Sequence, residues 1–311
     1  MLAMAYGADL VLGDPRWLPH PVRAMGAAIA AGERLLRRAI PWERAAGMVL
    51  VVMIIGGSYA TAWWLTHAAA QWSGFAGVGV SVFLLFTCLS TRDLAVESRA
   101  VRRALERRDM RAAQKQVSRI VGRDTARLDE PDIVRATVET IAESTLDGII
   151  SPLFYFVLGG VPLAIAYKAI NTLDSMIGHR SARYITFGWA AAKFDTAANW
   201  IPARLCAPFF AAAAWLCRYR MSAAWRCAWR DGYGGPVPNA GIPEAAMAGA
   251  LGIRLGGVNW YEGRAVEMPS MGEPRRPLEP QRIREAIRLM YTCSFVAWSS
   301  AMGALLLRAL W

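Results

Sequence analysis

The chain has 311 residues, of which 55% are hydrophobic and only 19% charged, with a mean hydropathy of +0.26. Those values are high for a soluble protein and ordinary for one that crosses a membrane several times. The net charge of +11 does not point to nucleic acid, because the positive excess lies beside apolar segments, as the positive-inside rule expects. Lysine occurs only at Lys115, Lys168 and Lys193, so arginine carries the charge, and GC-rich codon usage explains most of that bias. The five cysteines form no C-x-x-C pair and the three histidines lie far apart, which leaves a zinc or disulfide reading without support.

Met1 to Gly13 is apolar and short, and Asp9 interrupts it. It has neither a basic start nor a cleavage signal, so a cleaved signal peptide is not expected. Asp14 to Pro21 holds three prolines and reads as a rigid loop. Val22 to Arg44 reads as a basic amphipathic helix. From Ala45 to Ser90 there is no Asp, Glu, Lys or Arg. A span needs ~20 apolar residues, and this stretch predicts two, at 45–67 and 74–90, turning near Gln71-Trp72-Ser73-Gly74. Residues 91–148 read as a soluble helical insertion. Its helices are Arg92 to Arg108 (opened by a capping box at Ser90 to Asp93), Met110 to Val121, and a third from Pro131 to about Leu146.

Residues 149–173 are apolar but carry Pro152, Gly159-Gly160 and Pro162. Residues 196–217 carry Pro202, Arg204 and Pro208. Neither is a clean span. Arg218, Arg220, Arg226 and Arg230, with Trp225 and Trp229, form a basic interfacial stretch, and Met290 to Trp311 is a final span. The expected architecture is all-α: one polytopic membrane helical domain over 1–311, with broken or re-entrant helices. A cytoplasmic helical segment at 91–148 and a cytoplasmic loop region at 218–290 complete it. Simple alternation of spans would put 174–195 on the face opposite the other polar loops. Prolines and paired glycines favour the other arrangement, in which all polar loops share the cytoplasmic face.

Several polar groups stand where membrane proteins rarely spend them. Glu139, Glu143 and Asp147 recur every four residues along one helix face. They span roughly 12 Å at 1.5 Å per residue. That is too long for all three to contact one ion, but two of them with substrate phosphates suit Mg²⁺. The plainer reading is a solvated acidic face, with Arg135 pairing Glu139 one turn away. Asn171, Asp174, His179 and Arg180 crowd ten residues that follow an apolar run, with Lys168 one turn earlier; such groups at a membrane edge are costly unless paired. Asp174 suits a metal or an amine and Arg180 a phosphate, against a plainer role in interfacial anchoring. Asp195, Asn199 and Arg204 open the next broken segment, where the plainer reading is a carboxylate–guanidinium pair. Asp14, His20 and Arg23 mark the first loop. In the Gly- and Pro-rich segment 231–263, Asn239 and Glu244 are the candidates. Pro243 fits a first helical turn, which makes capping the plain role for Glu244. No Walker, G-x-G-x-x-G, H-E-x-x-H or G-x-S-x-G motif is present.

Leu12-Gly13-Asp14-Pro15 with Pro19-His20-Pro21-Val22-Arg23, Ser90 to Leu94, Ser118 to Thr125, Glu139 to Gly148, Asn171 to Arg180 and Pro238 to Gly257 together resemble the motif blocks of the adenosylcobinamide-phosphate synthases. These are integral membrane enzymes of cobalamin synthesis. The match runs in order along nearly the whole chain. It departs at the N-terminus, where relatives usually have a longer apolar stretch, and at Ser144, where many carry Asn.

The resemblance implies an ATP- and Mg²⁺-dependent amide ligation in the cell inner membrane. Adenosylcobyric acid would be joined to 1-aminopropan-2-ol or its O-phosphate, giving adenosylcobinamide or its phosphate. It implies catalytic roles for Glu143, Asp147, Asp174 and Arg180, and metal binding by Glu139, Glu143 and Asp147. Substrate binding would fall to Asp14, His20, Arg23, Lys168, Asn171, Arg204, Asn239 and Glu244. Besides the two substrates and the lipid bilayer, it admits association with other membrane enzymes of cobalamin assembly. Two other classes stay open: a non-catalytic regulatory relative of the family, and a small-molecule transporter built on broken helices. A transporter would have little use for both an acidic helix and a Pro-Asn-Ala-Gly loop.

Overall fold

The computed structural model describes residues 1–15, 17–179, 181–233 and 239–310. It is a polytopic membrane helical bundle with one small antiparallel hairpin. Among the described residues four helical stretches are long and apolar enough to cross a membrane: Glu43–Trp72, Gly74–Glu106, Glu130–Ile177 and Pro280–Leu310. The chain divides into two compact units. One comprises 1–90, 151–200 and 301–311; the other comprises 91–150 and 201–300. The insertion expected at 91–148 thus shares the second unit with the stretch that begins at Ile201.

In the first unit, α1 (Leu2–Leu12) is followed by the proline loop and α2 (Pro21–Ala39). His20 caps α2, its Nδ1 accepting the Val22 N–H at 3.2 Å. That helix stops at Ala39 rather than Arg44, because Ile40 takes an extended conformation. The apolar hairpin is α3 (Glu43–Trp72) and α4 (Gly74–Phe86). They meet at Ser73, whose extended backbone ends one helix and whose hydroxyl accepts the Ala76 N–H of the next. This is the predicted turn, and a Ser N-cap explains it. The core of the unit joins Ile29, Leu50 and Val51 to Leu173, Ile177 and Phe187. Gly47 is required there: a Cβ would lie 1.9 Å from the Phe187 carbonyl. Beside it, buried Glu33 accepts from Arg37 at 3.1 Å and from Arg183 at 2.9 Å.

Helix α8 (Ser151–Ile177) is broken where its glycines fall. Gly159 and Gly160 leave helical geometry, Gly160 at φ 69 and ψ −161. Pro162 then lies in the first turn of the second half, where a missing N–H costs no hydrogen bond. Upstream, Pro152 follows a π-helical turn at Leu146–Ile150. In a regular α-helix the proline ring would strike the carbonyl of residue 148, and a wider turn relieves that clash. After α9 (Trp189–Ala198), the chain breaks again at Asn199.

The second unit holds α5 (Thr91–Glu106), α6 (Met110–Val117) and α7 (Glu130–Thr145), close to the three helices predicted. It continues with α10 (Trp200–Leu216), α11 (Met221–Arg230) and α12 (Gly241–Leu251). α10 contains Pro208 and, at 17 residues, is shorter than a span. α12 packs on α11 across Gly249, where a Cβ would lie 2.4 Å from the Ala223 carbonyl. The strands β1 (Leu255–Tyr261) and β2 (Arg264–Met271) pair antiparallel, with a register shift between Leu255 and Gly257. The all-α expectation did not include this hairpin. The last helix, α13 (Pro280–Leu310), begins ten residues before the span expected at Met290. Its upper part belongs to this unit and its last turns to the first. In the first unit, Arg308 donates to the Val157 carbonyl at 3.4 Å, just before the glycine break of α8.

Candidate functional site

The second unit gathers three distant motif blocks around α7. Glu139 is buried, at 6% exposure. One carboxylate oxygen accepts the Gly256 N–H at 2.8 Å and the other accepts from Arg123. Arg135 lies 3.6 Å from the first oxygen, so the pairing predicted one helical turn away is present. Arg135 is also buried and donates to the Gly256 carbonyl at 2.8 Å, to Asn259 Oδ1 at 2.9 Å and to the Val258 carbonyl at 3.0 Å. Arg123 donates to the same Asn259 oxygen. Two guanidinium groups, one carboxylate and one amide therefore fasten β1 to α7 and to the loop after α6. Asp124 extends the fastening: its N–H donates to the Trp260 carbonyl at 2.8 Å and its carboxylate accepts the Gly263 N–H at 2.8 Å.

This arrangement sets Glu139 apart from the other two carboxylates of the helix. Glu139 does not stand with Glu143 and Asp147 as a three-carboxylate metal set; its oxygens are taken by arginines and a backbone amide. Among the described residues no group of three or more His, Cys, Asp or Glu side chains could hold a metal ion. Glu143 is exposed and Asp147 half-buried. Asp147 lies inside the π turn Leu146–Ile150, one turn on from Glu143. The remaining donors are hard oxygens, the kind Mg²⁺ takes one or two at a time beside phosphate and water. Glu143 and Asp147 fit that use, and Glu139 does not.

Glu244 falls in the first turn of α12, with Pro243 before it, as the sequence suggested. Its environment is less bland than a cap. Burial pushes its carboxyl well above the usual carboxylate range, and the nearby charges of Glu139 and Glu143 push it further, opposed by Arg123. A Cβ on Gly232 would meet the Gly241 carbonyl at 2.6 Å, so Gly232 lies against the start of α12. Asn239 is buried, at 8% exposure, and its carbonyl accepts the Ile242 N–H at 3.3 Å. Pro238, the first residue of the Pro-Asn-Ala-Gly motif, lies outside the described residues. Arg230 grips Asp231 with two hydrogen bonds, 2.6 and 2.8 Å, holding that carboxyl below its ordinary value. Asp231 in turn accepts the Gly272 N–H at 2.9 Å, closing β2 onto α11. Arg204 donates to the Tyr233 hydroxyl at 2.7 Å.

In the first unit, Asp14 Oδ1 lies 2.9 Å from His20 Nε2, and Arg23 donates to the Leu18 carbonyl at 2.6 Å. These three candidates thus shape one loop. Buried Cys88 lies within electrostatic reach of both Asp14 and Lys168, and a Cβ added to Gly26 would lie 3.5 Å from Met176 Sδ. The first loop and the second half of α8 are therefore neighbours. On α8, Asn171 and Lys168 are half-buried. Asp174 folds its carboxylate over Gly178, where a Cβ would lie 2.0 Å from Oδ1, so a glycine is needed in that place. Arg180 lies outside the described residues. Asp195 accepts from Asn199 at 3.1 Å. Buried Asn199 also accepts from Ser151 at 2.7 Å and from Tyr167 at 3.0 Å.

Sequence reasoning missed Asn259 and read Arg123 only as part of a motif. A single Asn in a Gly-rich segment gives no local sign that two arginines far away in sequence will converge on it.

A family model described as CobD/Cbib protein matches residues 2–290. "Cobalamin biosynthesis protein CobD" of Geobacter metallireducens is 48% identical over 300 residues, covering 96% of this chain and 94% of that one. A protein of the same name from Klebsiella pneumoniae is 44% identical over 306 residues, covering 96% and 95%. "Cobalamin biosynthesis protein CbiB" of Salmonella typhimurium is 42% identical over 304 residues, covering 97% and 95%. No solved structure matches. Matched along nearly its whole length by the family model and by relatives of this similarity, the chain belongs to the CobD/Cbib protein family.

Proposed function

We propose that the chain is an ATP-dependent ligase of the inner membrane, which joins the propionate carboxylate of adenosylcobyric acid to 1-aminopropan-2-ol or its phosphate. The broad part of this reading, a role in cobalamin biosynthesis, follows from the family. The observation that supports the finer part is the meeting of three motif blocks in one unit. Glu244 from the signature segment lies beside Glu139 and Glu143 from the acidic helix and Arg123 from the preceding loop.

A carboxylate does not acylate an amine unaided. Its oxygen attacks the γ-phosphorus of ATP, ADP leaves, and an acyl phosphate forms. The amine nitrogen then attacks the acyl carbon, inorganic phosphate leaves and the nitrogen gives up a proton. The first step needs charge neutralisation and alignment more than covalent help. Glu143 and Asp147 would hold Mg²⁺, which when bound shields the phosphate oxygens. Glu244, whose carboxyl is shifted towards the protonated form, could when protonated donate a hydrogen bond to a carboxylate or phosphate oxygen, which an ionised glutamate cannot. Glu139, Arg123, Arg135 and Asn259 position α7 and the hairpin rather than touch substrate.

The test is direct. Purified protein with adenosylcobyric acid, aminopropanol phosphate, ATP and Mg²⁺ should form one amide per ATP cleaved; free aminopropanol is the parallel arm. Glu143→Gln and Asp147→Asn should each lower turnover on the order of 10²–10³, the usual loss when a group stabilising transition-state charge is removed, while the protein stays folded. Near-native turnover in both variants would show that these carboxylates are only a solvated surface. Absence of any corrinoid product with either amine, from folded protein, would leave the non-catalytic reading.

A further inference from the structure

A cavity of about 390 Å³ opens in the second unit between α5 and α13. It is lined by Arg99, Arg102, Arg284 and Arg288, with Tyr291 and Thr292 beside them. Arg99 and Arg102 are three apart on α5; Arg284 and Arg288 are four apart on α13. Each pair therefore shares one helix face, and the two faces present four guanidinium groups to one space.

Among the described residues no carboxylate lines this cavity. Glu106 takes one bond from Arg102, 2.7 Å long. Glu285 on α13 is held instead by Arg276 and Arg282, and Glu97 on α5 by Arg119. Arg284 has no acidic partner among the described residues. Arg99 rests on the Tyr291 ring, 5.7 Å from its centroid, and Arg288 faces Tyr219 at 6.0 Å. The Arg102 Nε–H is buried without an acceptor. A buried donor without a partner is costly, and four like charges in one cleft repel. An anion with several oxygens relieves both.

We propose that this cleft binds a phosphate group. The fork of arginine matches phosphate oxygens two at a time, and four forks around one cavity exceed what a lone carboxylate would use. Two sources carry that group. Arg284 and Arg288 stand just before the charge-free run 289–307 of α13, where a phospholipid headgroup would reach them. A soluble phosphate ester would enter from water. The proposal is independent of the ligase reading, since none of these residues belongs to the site described above.

The experiment uses the full chain purified in detergent. Native mass spectrometry follows retention of phosphatidylglycerol against phosphatidylcholine, and a thermal-shift assay follows inorganic pyrophosphate. At least one anionic probe should bind, and Arg284→Gln/Arg288→Gln should weaken that probe about tenfold or more, the loss of roughly 1.4 kcal/mol. Arg284→Lys/Arg288→Lys should fall between, keeping charge but losing the fork. Phosphatidylglycerol alone binding identifies a lipid headgroup; pyrophosphate alone identifies a soluble ester. Should the double Gln variant fail to fold, the exposed Arg99→Gln carries the same readout. Undiminished binding in the folded variant, or no binding of either probe to the native chain, overturns the proposal.

Discussion

Glu244 shows how far a single residue can be read before its surroundings are known. The sequence placed it at a helix start after Pro243, and there it lies. Its neighbours could not be read, because Arg123, Glu139 and Glu143 come from segments more than a hundred residues earlier. Their effect on stability has a definite sign. The carboxyl is raised in the folded chain above its ordinary value of 4.5, so folding takes up a proton between that value and the raised one. The stability of the neutral form is complete below 4.5 and is lost as pH rises through the raised value. Glu244→Gln mimics the neutral group. Its Tm should match the native chain near pH 4.5 and exceed it at pH 8, while turnover falls if the side chain touches substrate. A thermal-shift series across pH checks this; a lower Tm for the variant at pH 8 would mean that the charged form is the stabilising one.

At the scale of elements, the helices were legible and the hairpin was not. Apolar runs free of charge, a Ser cap at Ser73 and prolines at first turns are local signals, and the structure follows them within a few residues. Leu255 to Met271 carries Gly256, Gly257 and Gly263 at positive φ and a proline, so locally it reads as loop. What makes it a hairpin is nonlocal: Arg135 holds the Gly256 and Val258 carbonyls. Removing that cation leaves Glu139 short of a partner. Arg135→Ala should cost about 3–5 kcal/mol, the usual penalty for breaking a buried ion pair. The loss should appear first as faster amide exchange and proteolysis at 255–271, with α3 and α4 unchanged. Uniform destabilisation of all segments would show that the hairpin is not separately fastened.

For the whole molecule, length and composition were enough to read a membrane protein, and four helical stretches meet the requirement for crossing. Sidedness is harder, because segments interrupted at Gly159, Gly160 and Asn199 do not say whether they cross. If all motif-bearing loops share the cytoplasmic face, a Ser181→Cys variant in intact cells should resist an impermeant thiol reagent added outside. All five native cysteines are buried, so the background should be low. Ready labelling from outside would favour strict alternation of spans.

The interruption of α8 creates two helix ends inside an apolar segment. Each end leaves up to about four backbone groups without their usual helical partners. Arg308 supplies one donor, to Val157, and Pro162 removes one orphan amide by having none. Any of the others without a protein partner would need water, since hydrocarbon offers nothing to bond. A helix end at the level of Gly159 and Gly160 would then draw solvent to that depth, and the protein there would be wetter than its hydropathy suggests.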